Sequence, residues 1–176
     1  MNANARPPGV ISKPRSRASG YKAGDTMGNL RTAAREVMRQ GFKVGIEPRD
    51  PSLAATASPK GRYVNINPAS PFWKDPAGQM RAMRRRGHVA TSDPRGAIAH
   101  EIGHLKDSNA AYGARRRGPR VASRVSRYAT ESPREFVAEV YAGLKTGRRY
   151  DRQVMAAYRT ESGLGRVQSR RRSRLR

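Results

Sequence analysis

The residues His100-Glu101-Ile102-Gly103-His104 carry the clearest chemical signal in this chain of 176 residues. On a helix, positions i and i+4 share a face, so the two imidazoles can reach a single metal ion. Glu101 then stands beside that ion as a base for a water molecule rather than as a ligand. A divalent ion such as zinc brings a bound water to a pKa of about 7, and a carboxylate can take its proton as the water attacks a carbonyl. The alternative is a pair of surface histidines with an ordinary acid between them. The chain has only 3 histidines, which makes the spacing more telling.

A site of this kind takes a third protein ligand and leaves a position open. The remaining histidine, His88, lies twelve residues before the motif. Downstream, Ser132-Pro133-Arg134-Glu135-Phe136-Val137-Ala138-Glu139 places two acids at i and i+4 on an expected helix. Phe136, Val137, Val140, Tyr141 and Leu144 give that helix an apolar face. Carboxylates beside packing residues need partners, so two histidines and a glutamate form the economical ligand set. Glu135 can instead belong to a capping box with Ser132, and Glu139 can pair with an arginine.

The elements that must hold these residues are legible in outline. Asp25 caps a helix running to about Gln40, with Met27, Leu30, Ala34, Val37 and Met38 on one face. Short strands are expected at 43–48 and 62–68, with a proline-punctuated connection between them. A basic helix is expected over 76–86. Ser92 or Asp93 caps the motif helix, with Pro94 in its first turn. Helices over 119–128, from Ser132 to about Lys145, and over 149–159 complete an α+β, helix-rich fold with a small sheet. Phe72 and Trp73 are expected to pack the core.

Composition limits the rest. Lys and Arg number 37 against 13 Asp and Glu, a formal charge of +24, and 30 of the 37 are arginine. Arginine favours planar contact with phosphate or carboxylate, so a polyanionic partner such as nucleic acid is the physical expectation; a coding bias toward arginine is the alternative source. Residues 1–24 read as a flexible basic arm, 25–162 as the folded domain and 163–176 as an Arg-rich tail. Arg84, Arg85 and Arg86, the run Arg115, Arg116 and Arg117, and Arg170, Arg171 and Arg172 are candidate nucleic-acid contacts. No stretch is long and apolar enough for a membrane span, and no apolar segment of a secretory signal follows the N-terminal basic residues. The chain has no cysteine, which excludes disulfides, thiolate zinc sites and cysteine nucleophiles. No phosphate-binding loop or dinucleotide fingerprint is present.

Residues His100 to Asp107 (HEIGHLKD), with Tyr128 to Tyr141 (YATESPREFVAEVY) downstream, resemble a family of zinc metallopeptidase domains. That family includes the catalytic domain of anthrax lethal factor and domains of phage minor head proteins and polymorphic toxins. The resemblance spans roughly residues 60–145 and implies a zincin-like fold with the motif on a central helix. It implies Zn2+ on His100, His104 and Glu135, with Glu101 as general base and Tyr128 supporting the developing oxyanion. Glu139 and Asp107 would orient the ligand histidines. Tyr128 can alternatively be a core aromatic at a helix end. The implied activity is peptide-bond hydrolysis on a protein or peptide substrate, in a virion or host cytoplasm. A DNA-binding, virion-packaged protein with a structural or vestigial metal site is the alternative, and a peptidase that travels with DNA on its basic arms combines both. The resemblance does not account for the arms or for Arg115 to Arg117.

Overall fold

The structure, a computed structural model, describes residues 20–107 and 119–162. The first helix, α1 (Thr26–Arg39), starts where the Asp25 carboxylate accepts the Gly28 N–H at 2.8 Å, satisfying a donor that the first turn leaves free. Leu30, Ala33, Ala34 and Val37 turn inward, whereas Met27 and Met38 lie exposed, so the buried stripe is narrower than the sequence reading. Three strands follow: β1 (Lys43–Ile46), β2 (Ala55–Ser58) and β3 (Tyr63–Ile66). β3 is central, parallel to β1 and antiparallel to β2. The fold is α+β, with five α-helices and a three-stranded sheet among the described residues.

Buried polar side chains fix the connections around the sheet. Asn67 donates to the carbonyls of Asp50 and Leu53 and accepts from the N–H groups of Arg49 and Ala69. Asn29 likewise bridges both main-chain groups of Lys22 to the Trp73 carbonyl. Trp73 is fully buried and donates its indole N–H to the Ala54 carbonyl at 3.2 Å, and Phe72 packs edge-on against it at 5.0 Å. Each such group would cost free energy if it were buried without a partner. Tyr21, within the stretch read as a basic arm, is buried in the core and stacks with Trp73. Packed chain therefore begins before residue 25. The rest of that arm (1–19), the tail 163–176 and the Arg115–Arg117 run lie outside the described residues.

A 3-10 turn (Pro71–Lys74) leads into α2 (Pro76–Arg85), capped by Asp75. The motif helix α3 spans Gly96–Lys106, starting later than its sequence signals suggest. The Asp93 carboxylate accepts the Arg95 N–H and pairs with the same residue's guanidinium at 2.6 and 2.9 Å, so Asp93 and Pro94 form a turn ahead of the helix. The expected helix over 119–128 is two 3-10 turns, Arg120–Arg124 and Tyr128–Thr130. Their main chain is engaged elsewhere: the N–H groups of Arg127 and Tyr128 bond the carbonyls of Gly87 and His88. Helices α4 (Pro133–Lys145) and α5 (Arg152–Glu161) close the fold, capped by Ser132 and Asp151.

Helices α3 and α4 approach at Gly103. A Cβ there would lie 2.8 Å from the Ala138 Cα and 3.2 Å from its carbonyl oxygen, both of them backbone atoms that cannot turn aside. Replacing Gly103 by Ala raises helix propensity by about 1 kcal/mol, but overpacking against backbone costs about 1–3 kcal/mol. We expect Gly103→Ala to lower the melting temperature and to reduce metal content in the same preparation, since α4 carries Glu135.

Glu36 on α1 accepts the Tyr21 hydroxyl at 3.0 Å. Burial pushes its carboxyl up to about 7, outweighing the Tyr21 hydrogen bond and Arg95, which lower it. The stability it contributes is complete below the ordinary value of 4.5 and is lost as pH rises through about 7. Thermal unfolding from about pH 5 to about pH 8 should therefore show Glu36→Gln gaining on the wild type as pH rises. Parallel curves would contradict this.

Candidate metal centre

Helix α3 presents His100 and His104 toward α4, and α4 returns Glu135 and Glu139, so two i, i+4 pairs face each other. The Ser132 hydroxyl accepts the Glu135 N–H at 3.1 Å, so the cap exists. The Glu135 carboxylate nevertheless reaches the histidines, its Oε2 lying 3.0 Å from His100 Nε2 and 3.4 Å from His104 Nε2. The two Nε2 atoms are 3.1 Å apart. These three residues could hold a metal ion.

The spacing of the donor set suits such an ion. A tetrahedral ion with bonds of about 2.0–2.1 Å separates its ligand atoms by about 3.3 Å, and the three observed separations bracket that value. Glu135 Oε2 is buried and in hydrogen-bond geometry to neither imidazole. An orphaned carboxylate oxygen facing two imidazole nitrogens fits a shared cation. Nitrogen and oxygen donors without sulfur suit zinc and its divalent neighbours.

His100 is oriented from behind. Glu139, only 2% exposed, brings Oε1 within 2.9 Å of His100 Nδ1. Its Oε2 accepts the Ala90 N–H at 2.5 Å. A carboxylate only accepts, so it places the proton on Nδ1 and turns the Nε2 lone pair toward the cluster. Burial lowers the His100 pKa, but the Glu135 and Glu139 carboxylates facing its two ring nitrogens prevail and bring it up to about 10. Burial raises the Glu135 carboxyl, yet the two imidazoles beside it hold it well below the usual range. His104 Nδ1 is buried without a hydrogen-bond partner, so Asp107, at the C-terminal cap of α3, does not bond it.

Glu101 lines a cleft of about 330 Å³ together with His100 and Tyr128. Leu53, Phe72, Met80, Met83 and Val89 make one side of this cleft apolar. Burial raises the Glu101 carboxyl; the neighbouring imidazoles and, less, the Ala57 main chain of β2 pull it down more weakly. Tyr128 stacks on His100 with ring centroids 5.4 Å apart and on His88 at the same distance. Burial, with the surrounding carboxylates, raises the Tyr128 pKa and keeps its hydroxyl a donor. His88 therefore stands outside the ligand cluster. Arg84, Arg85 and Arg86 end α2 and bond nothing in the cluster, whereas Arg170, Arg171 and Arg172 lie outside the described residues.

Sequence reasoning did not reach the main-chain donor of Ala90, because a backbone amide has no residue signature. The same holds for Arg148, whose guanidinium bonds the carbonyls of Ala90 and Val125 at 2.8 Å and of Arg124 at 2.9 Å.

Both partners of the Glu139 carboxylate are donors, so an amide there would turn its NH2 against one of them. Leaving a buried donor unpaired costs about 1–3 kcal/mol. Glu139→Gln should lower thermal stability and weaken metal affinity by roughly 10- to 100-fold, as loss of a ligand's supporting bond does; equal affinities in a competition titration would remove the orienting role. Compared with known families, curated proteins and solved structures, the chain matches no family, no curated protein and no solved structure.

Proposed function

We propose that the protein is a zinc-dependent peptidase of zincin-like architecture. The observation that carries this reading is the convergence of His100, His104 and Glu135 beside an uncoordinating acid, Glu101, at the edge of a cleft. Zinc on that donor set supplies Lewis acidity toward a carbonyl oxygen and an acidified water. The chain's own residues do the remaining chemistry. Glu101 accepts a proton from the attacking water as the new C–O bond forms, then returns it to the amide nitrogen as the C–N bond breaks. Its burial suits the first of these transfers, because a carboxylate of raised pKa is a stronger base toward the water. The Tyr128 hydroxyl donates to the carbonyl oxygen as negative charge develops there. Glu139 holds His100 in the tautomer that can ligate.

The test compares metal content and peptide hydrolysis in the wild type, Glu135→Ala and Glu101→Gln after dialysis. Zinc near one per chain in the wild type and in Glu101→Gln, lost in Glu135→Ala, is expected. Hydrolysis should fall by about 10²- to 10⁴-fold in Glu101→Gln, the usual range for a general base. A folded wild type that retains no zinc would sink the reading.

A further inference from the structure

The wall of stacked rings has a second side. Beyond His88 lies a concavity of about 620 Å³, lined by Arg84, Arg124, Arg127 and Arg148, with Glu131 its one acidic lining residue. His88 lines both this basin and the apolar cleft, and Arg127 directly precedes Tyr128. The basin thus adjoins the candidate centre.

Its charge is only partly answered from within. Arg148 spends three bonds on carbonyls and none on a carboxylate. Arg84 bonds the Val89 carbonyl at 3.3 Å. Arg124 reaches Asp151 at 3.3 Å, but both side chains are about half exposed, where such pairs contribute little. Arg127 is exposed and its guanidinium makes no hydrogen bond or ion pair among the described residues, while its main chain is anchored to Gly87. An anchored backbone with an unengaged guanidinium suits a ligand carboxylate, which arginine meets with two parallel bonds.

We infer that this basin is a specificity subsite for an acidic side chain of the substrate, adjacent to the apolar cleft that takes a hydrophobic one. The inference rests on the peptidase reading. A peptide is favoured over nucleic acid on two grounds. His88 lines both the basin and the apolar cleft, so one extended peptide can occupy both, and the basin's lining offers no Phe, Tyr or Trp on which a base could stack.

The experiment digests a mixed peptide library with the full-length, zinc-loaded protein and sequences the new termini by mass spectrometry. Wild type, Arg127→Gln and Arg127→Glu are compared, with Arg35→Glu on α1 as a control charge change remote from the cleft. Enrichment of Asp and Glu at one position near the cut is expected in wild type and in Arg35→Glu. Arg127→Gln should weaken it, and Arg127→Glu should turn it toward Lys and Arg. On matched acid and amide peptides the preference in kcat/KM should change by roughly tenfold. Zinc content and circular dichroism establish that each variant is folded and loaded. Cleavage without acidic enrichment would overturn the subsite and leave the peptidase standing. An oligonucleotide that inhibits wild type but not Arg127→Glu, with no acidic preference, would assign the basin to nucleic acid and overturn it equally. Absence of cleavage by the loaded wild type would overturn the peptidase reading and the subsite with it.

Discussion

The contact between Gly103 and Ala138 is the constraint on which the arrangement depends. Two helices that touch backbone to backbone put their i, i+4 side chains within reach of one another, and here those are two histidines and two glutamates. With a side chain at position 103, α4 would stand off and Glu135 would lose both imidazoles. The closeness also explains how two carboxylates are tolerated in a buried environment. Each has an imidazole at hydrogen-bonding distance or nearly so, which repays part of the desolvation that isolated ions would suffer.

Around this centre the polar groups are arranged in sequence. Arg148 holds the carbonyl of Ala90, Ala90 gives its N–H to Glu139, and Glu139 holds His100. Tyr128 is placed independently, because its own N–H is bonded to the His88 carbonyl and Ala129 is tied to the Ser126 hydroxyl. The ligand face and the aromatic wall are therefore positioned by different parts of the chain that meet at residues 88–90. This makes the stretch between α2 and α3 more consequential than its lack of regular structure suggests.

Much of the site was legible because its information is in residue types and spacing. His100, Glu101 and His104 announce themselves, and Glu135 with Glu139 repeats the same interval behind a Ser-Pro helix start that the structure contains. Asp25 and Ser132 were readable as caps for the same reason. What escaped was set by long-range backbone pairing. Residues Ala55–Ser58 alternate no large apolar groups, and they form a strand because β3 offers an edge and Trp73 fixes Ala54 beside it. The 119–128 stretch has helical composition but gives its amides and carbonyls to residues 87–88 and Arg148. Asp93 looked like a cap and instead clasps Arg95. Tyr21 looked like part of an arm because one aromatic among Gly and Lys carries no periodicity.

Ala90 is gripped through both of its main-chain groups, by a carboxylate on one side and a guanidinium on the other. Its methyl group contributes almost nothing to that hold, so the rigidity of this wall is written in its neighbours. Where a molecule in the cleft meets the flanking Val89 and Thr91, it meets main chain already held in place. Its association then spends little on conformational entropy, and discrimination between molecules falls to shape and desolvation at a standing doorway rather than to a wall that folds around its guest.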